Sequence, residues 1–428
     1  MTKIIKFFLL IAFIQILPLS VSANPEHAVE PSDSGASADS SQRSSASSIE
    51  ARFLNGLRSL ESGQPEAAIR IFSSILALDP TLIRVRLELA RAFYASKQWD
   101  RARQEFFIAL SGDLPEPVRL KVLGFIRSID ARRGFDWDLS FGLINAGNSR
   151  NYDTDTIVLD FAGVALPFEL DRNTKSQVGL RTTGVATYRL PVGLAFSERY
   201  TPSFFAQGFF DITDAPGSTF DDYIVGSRAG LRFTAEKATY SVAPVLSRRY
   251  LSGEKYEDQA GIELAFEGRT ETGFSMFGQA SFLNIDNKIA GNLDGTLRRA
   301  QIGFRQSIGG LSTVGTSLFY EGKRVDFNLD DYDTFGLRLF GIIDIPFGIT
   351  LKPSVSFEEK SFSEPSQLFT ADPDEKTMGA SIRIEKNDLF LGNGFSPFIS
   401  LSHRRTKSGI DAFSYTETEY EFGLERRF

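Results

Sequence analysis

Ser402 and His403 are the nearest this sequence comes to a hydrolytic pair, and their spacing disqualifies them. A serine nucleophile needs its base within hydrogen-bond reach, whereas neighbours in an extended chain point to opposite faces. The only other histidine, His27, stands in a stretch rich in Ser, Ala, Asp and Glu with no catalytic partner near it, and cysteine is absent. Thiol nucleophiles, thiolate zinc sites and disulfides are therefore excluded. Metal or general-base chemistry at histidine has almost nothing to draw on. None of the glycine-rich stretches carries a Gly-Lys-Ser/Thr phosphate loop. The sequence reads as that of a protein with no catalytic residue, no metal ligand and no cofactor.

The charged residues do have a pattern. Arg181, Arg228, Arg232, Glu263, Arg299, Arg305, Arg338 and Arg383 occupy the polar places of segments in which every second residue is apolar. Ala300, Ile302 and Phe304 alternate with Arg299, Gln301, Gly303 and Arg305, and Ala260, Ile262, Leu264 and Phe266 interleave with Glu263 and Glu267. A period of two places such charges on one face of a strand and the apolar residues on the other. Both signs share the polar face, since Glu267, Glu385 and Glu421 join it. This predicts the wall of a barrel lumen, which is either a water-filled pore or a cross-linked interior, with some of the residues guiding a moving polypeptide.

About fourteen such segments follow one another from residue 136 to 428, near 137–147, 176–188, 199–212, 223–235, 238–250, 256–268, 272–284, 296–308, 312–324, 332–344, 348–361, 377–387, 395–405 and 417–428. An even number of strands, each eleven to fourteen residues long, suits a closed antiparallel outer-membrane barrel in contact with the lipid bilayer. Short connections at Glu236-Lys237, 269–271, Gly309-Gly310-Leu311 and Ile345-Pro346-Phe347 alternate with longer ones at 148–175, 213–222, 285–295, 362–376 and 406–416, as inner turns and outer loops should. The last strand sets Tyr420, Phe422, Leu424 and the terminal Phe428 on one face, an ending of the kind that barrel assembly machinery favours.

Ahead of the barrel the period changes. Residues 1–23 read as a signal peptide, with Lys3 and Lys6 before an apolar run and Val21-Ser22-Ala23 at its end, and 24–48 as a disordered tether too polar to bury a core. From 49 to 133 apolar residues recur at helical spacing, and the segment matches itself at a shift of 34: Ala68 on Ala102, Phe72 on Phe106, with Gly56 and Ala90 at the small position of a helical hairpin. That is the period of tetratricopeptide repeats. Helices are expected near 50–62, 66–78, 82–96, 99–111 and 117–131. The inner face of the second repeat would carry Arg84, Leu87, Arg91 and Tyr94, either a grip for an extended peptide or a solvated helical face. A net charge of −7 and the lack of a basic, aromatic-interleaved cluster argue against nucleic acid as a partner.

A short tetratricopeptide-type helical domain followed by a transmembrane β-barrel resembles the surface lipoprotein assembly modulator family, Slam. The stretch that carries the resemblance runs from Asp79-Pro80 through Val85-Arg86-Leu87-Glu88-Leu89-Ala90-Arg91-Ala92-Phe93-Tyr94, Trp99-Asp100-Arg101-Ala102 and Phe106-Phe107 to Leu114-Pro115 and, through Val118 and Ile126, into the first strand. The resemblance implies an outer-membrane translocator whose periplasmic helical domain engages a client, a surface lipoprotein or a soluble secreted protein, and delivers it to the cell surface. It transfers no catalytic role to any residue. Two other functions suit the same architecture: an exopolysaccharide export porin, which would need many more repeats, and a gated diffusion pore.

Overall fold

The computed structural model describes residues 36–112, 114–132, 134–147, 150–154, 156–161, 164–169, 176–191, 200–217, 220–270, 272–308, 312–326, 330–345, 347–363, 372–391 and 394–427. The expected signal peptide and Phe428 lie outside the described residues, as does the tether up to residue 35. The chain divides into one unit ending at Arg52 and a second, from Phe53 onward, that holds the helical pairs and the barrel.

Five helices come first: α1 (Ala36–Glu61), α2 (Pro65–Leu78), α3 (Ile83–Ala95), α4 (Trp99–Leu110) and α5 (Glu116–Arg132). Helix α1 starts inside the stretch read as a tether, so residues 36–48 are helical rather than irregular. Once Ile49–Leu60 nucleates the helix, extending it backward through Ala and Ser residues costs little per residue. Positions related by the 34-residue repeat form the core. Ala68 and Ala102 are fully buried, as are Phe72 and Phe106, and Ala90 sits at the crossing of its pair. At Gly56 a Cβ would lie 2.5 Å from the Phe72 ring, so only glycine lets α1 and α2 approach this closely. Burying each of these phenylalanines contributes about 1.5–3 kcal/mol relative to leaving it in water. Pro65 opens α2 where its missing N–H is not needed, and the Asp79 carboxylate accepts from the Thr81 N–H at 2.9 Å in the turn to α3.

The strands are β1 (Phe135–Gly147), β2 (Arg150–Tyr152), β3 (Thr156–Phe161), β4 (Val164–Glu169), β5 (Ser176–Pro191), β6 (Thr201–Asp214), β7 (Asp222–Thr234), β8 (Ala238–Leu251), β9 (Glu254–Arg269), β10 (Phe274–Asn287), β11 (Gly295–Ile308), β12 (Ser312–Val325), β13 (Tyr332–Ile345), β14 (Ile349–Phe362), β15 (Glu375–Lys386), β16 (Ser396–Ser408) and β17 (Tyr415–Arg427). Strands β1 and β5 to β17 pair in sequence order, and β1 pairs with β17, which closes a fourteen-stranded antiparallel barrel. Each of the fourteen segments expected from the alternation overlaps one of these strands, with ends displaced by at most three residues. The 148–175 connection, expected as a plain loop, instead carries β2, which pairs with the outer end of β17, and the β3–β4 hairpin. Between β8 and β9 a two-residue turn, Ser252-Gly253, has φ of 52° and 81°, the geometry of a tight hairpin turn that follows the strand twist.

The barrel is polar within and apolar without. Leu180, Leu231, Ile262, Leu264, Phe282, Leu318 and Phe335 are exposed on the outer rows, while Thr187, Glu257, Ser281, Ser317, Thr350, Glu385 and Glu425 are buried on the inner ones. The registers hold each face from strand to strand: Gln207 lies opposite Arg228, Glu263 opposite Ser281, Ser281 opposite Arg299, and Arg299 opposite Glu321. A soluble sheet with this much apolar surface in water would aggregate; in a bilayer the same surface is in its proper solvent, and closure pairs the first strand with the last instead of leaving two free edge strands in hydrocarbon. None of the described helices is long and apolar enough to cross a membrane.

Candidate functional site

The eight charged residues read as a lumen wall all fall on the inner rows, and most of them cross-link it. Arg181 on β5 makes a bidentate pair with Asp211 on β6, 2.6 Å at its shorter contact, and reaches Glu419 on β17 at 3.3 Å. Arg228 on β7 pairs with Glu263 on β9, reaching over the buried Ala243 of the strand between. Arg299 bonds Glu321 at 2.6 Å, and Arg305 pairs with Glu267 over the Phe277 ring of β10. Arg232 and Arg338 lie over the rings of Phe205 and Phe319, 5.3 and 5.6 Å from their centroids. Bidentate and stacked contacts of this kind suit a planar guanidinium rather than an ammonium.

Arg383 is the most heavily committed of the set. It contacts Glu385 at 3.0 Å, Glu425 at 2.6 Å and Glu421 at 3.9 Å, while its guanidinium lies 3.4 Å from the centre of the Phe398 ring. Glu385, 1% exposed, also binds Lys352. This knot stands near the rim where α5 runs into β1. Farther along the lumen a cavity of about 770 Å³ is lined by Arg228, Arg299, Arg338, Glu263 and Glu321 together with Gln207, Gln259, Gln279 and Gln301. Fixed charges of both signs and amides make this a surface that hydrogen-bonds an extended polar chain without favouring either charge.

On the helical side, Arg84, Leu87, Arg91 and Tyr94 are not one open surface. Arg84 lies over the Phe53 ring and Arg91 pairs with Glu88 on its own helix at 2.7 Å. Tyr94 is part of the packing: its ring meets Trp99 and Phe125 edge-on, and its hydroxyl shares a 2.8 Å hydrogen bond with Ser128, the residue one repeat later. Sequence reasoning missed a second stripe. Helix α4 buries Ala102, Phe106 and Ala109 in the helical core, and turns Asp100, Arg103, Gln104 and Phe107 toward the barrel rim. There they share a cavity of about 260 Å³ with Asp344, Thr350, Lys352, Glu385 and Asn387. The signal was the Phe106-Phe107 pair, because adjacent aromatics on a helix cannot both enter one core.

Ser402 and His403 point to opposite faces, Ser402 inward and His403 outward, where its Nδ1 and the Thr418 hydroxyl are 2.9 Å apart. Tyr420 and Phe422 are exposed on the outer face of β17, with Leu424 paired across from Phe141. Arg426, which interrupts this apolar row, stacks over the Trp137 ring at 4.9 Å.

A tetratricopeptide-repeat profile matches residues 59–110. A surface lipoprotein assembly modifier of Moraxella catarrhalis is 21% identical over 386 residues, which cover 88% of this chain and 72% of that protein. Surface lipoprotein assembly modifier 1 of Neisseria meningitidis serogroup B is 21% identical over 392 residues, covering 87% and 74%. Among solved structures, a Pseudomonas aeruginosa FadL homologue superposes on 75% of this chain and 93% of its own with a TM-score of 0.41 and 10% identity. The profile of the surface lipoprotein assembly modifier family matches residues 215–428, the second half of the sequence and β7 to β17 of the barrel. An outer-membrane barrel with an N-terminal tetratricopeptide domain, matched by that profile over half its length, the chain belongs to the surface lipoprotein assembly modifier family.

Proposed function

We propose that this protein moves a client to the bacterial cell surface, a surface lipoprotein in the first instance, with the helical repeats engaging it in the periplasm. The observation that carries this reading is the junction of α4 with the barrel rim. A repeat domain of the peptide-binding kind presents Asp100, Arg103, Gln104 and Phe107 beside the mouth of a lumen walled by paired charges and amides. A client held on the helices is thereby delivered to a polar path rather than to lipid. Membership of a family whose characterised relatives are named for surface lipoprotein assembly supports the same reading. Barrel assembly machinery inserts the protein by way of the apolar last strand, and folding of the client outside draws transport forward without a nucleotide.

Reconstitution tests it. The protein is inserted into proteoliposomes, and each lipoprotein or small secreted protein encoded beside its gene is supplied on the helical side with a periplasmic chaperone and no nucleotide. Protection of the client from added protease in the receiving compartment supports transport. A demand for hydrolysis by this chain, or passage of small ions and sugars with no client transfer by any candidate, would replace the reading with a diffusion pore.

A further inference from the structure

The seam that closes the barrel is the shortest ladder between neighbouring strands of the fourteen that form it. Strands β1 and β17 pair over seven positions, Asp138–Arg427 to Ile144–Glu421, against thirteen between β1 and β5 and fourteen between β11 and β12. In register, Asn145, Ala146 and Gly147 would continue opposite Tyr420, Glu419 and Thr418, and β1 does pair through Gly147 on its β5 edge. On the β17 edge one side chain replaces the ladder. Asn145 Nδ2 donates to the Thr418 carbonyl at 2.8 Å, and its Oδ1 accepts from the Tyr420 N–H at 2.7 Å. Beyond it pairing resumes for three positions, where β2 meets Tyr415–Glu417, and the Asp153 N–H donates to the Ser414 carbonyl at 2.9 Å.

Two features show what this interruption faces. Asn145 belongs to the outward row, whose neighbours Leu143, Tyr420 and Phe422 are exposed apolar residues, so an amide stands among apolar side chains at the seam. A polar group there is costly unless satisfied, and its only satisfaction is the backbone it bridges. On the inner side the same stretch of β1 presents Ser140, Gly142, Ile144 and Ala146, with Gly142 opposite Gly423 and with Ile144 and Ala146 packed beside Ala215 and Phe220, so no charged β1 side chain ties the lumen wall across the seam there.

We propose that the outer part of the β1–β17 seam is a lateral opening, through which the acyl chains of a lipidated client reach the outer leaflet while its polypeptide stays in the lumen. This rests on the transport reading above. A lumen walled by charges and amides gives acyl chains no apolar solvent, and a slot in the wall lets each half of the client remain in its own medium. Separation above Ile144 breaks three ladder pairs, the two Asn145 bonds and the rim bond at Asp153, whereas the same movement at β11–β12 breaks a continuous ladder.

Because the chain has no cysteine, an introduced pair is its only disulfide. Asn151→Cys with Thr416→Cys joins register partners and locks the seam at its rim; Ile302→Cys with Leu318→Cys locks β11 to β12 as a control. The probe is a lipoprotein that the protein exposes in the unlocked form, tested acylated and with its acylated cysteine changed to serine, and scored by surface protease in cells. The proposal predicts loss of exposure of the acylated form under the oxidised seam lock, recovery on reduction, and no effect on the serine form or from the control lock. Equal exposure of the acylated form with the seam locked overturns it. If the unlocked protein exposes no such lipoprotein, the transport reading fails, and hydrogen exchange of the native protein in lipid nanodiscs judges the seam alone. Amides of Thr418–Tyr420 exchanging about tenfold faster than those of Phe319–Glu321 support an opening there, and equal protection overturns it.

Discussion

Replacing Arg383 by Met keeps most of the side chain's volume and removes its charge from the knot at the barrel rim. The guanidinium is shared by Glu385, Glu421 and Glu425, whose side chains are 1%, 11% and 8% exposed. Removing one partner of a buried pair costs about 3–5 kcal/mol, because the other charge stays buried without compensation. Lys352 remains beside Glu385 and offsets part of the loss, which places the expected cost at the low end, about 3 kcal/mol, or about a hundredfold in the folding equilibrium. Arg305→Met is the comparison. Its partner Glu267 is 46% exposed, and pairs of that exposure contribute about 0–1 kcal/mol. Denaturant unfolding of the barrel in detergent, followed by the gel shift between folded and unfolded forms, measures both. Adding Glu421→Gln to Arg383→Met should recover part of the loss, since it removes a carboxylate, 11% exposed, that has lost its arginine. A loss at Arg383 below about 0.5 kcal/mol, or one no larger than that at Arg305, would refute the claim that burial decides which lumen pairs matter.

Phe106→Ala removes a side chain 1% exposed that stacks on Phe125; it should destabilise the helical repeats by about 3–5 kcal/mol, seen as faster proteolysis of 53–132 with the barrel's gel mobility unchanged. Asn145→Leu removes the two bonds that replace the ladder, and hydrogen exchange at Thr418 to Tyr420 should rise while β11 and β12 keep their protection. The Thr81 hydroxyl and N–H hold the Asp79 carboxyl below its ordinary value. The stabilisation this gives is present above the usual carboxylate range and is lost as pH falls through the lowered value, so Asp79→Asn should flatten the acid limb of helical-domain melting.

The strands were legible because an outer-membrane barrel imposes period two on every segment, and Arg299 to Arg305 show it without interruption. The helical repeat was legible because Gly56, Ala68 and Phe72 recur as Ala90, Ala102 and Phe106 at a fixed shift. Pairing within the lumen was not. Arg228 finds Glu263, and Arg383 finds Glu421 and Glu425, each over an intervening strand; that choice depends on the stagger of the closed barrel and on small residues such as Ala243 between the partners. Nor does a single Asn in a strand announce that it will replace three ladder positions, since its role arises only when the last strand meets the first. Tyr94 holds on α3 the place of a groove residue or of a solvated face, but α5 follows as the first helix of a further repeat and packs Phe125 and Ser128 against it.

The central claim is that the protein takes a client to the cell surface, and it is tested most directly by surface proteolysis of intact cells. Each candidate client encoded beside the gene is expressed with and without the protein at matched client abundance. The account predicts that at least one becomes protease-accessible only when the protein is present, and that changing Asp100, Arg103 and Phe107 to Ala lowers its exposure while the barrel still inserts. Exposure unchanged for every candidate, together with ion conductance from the purified barrel, would contradict it.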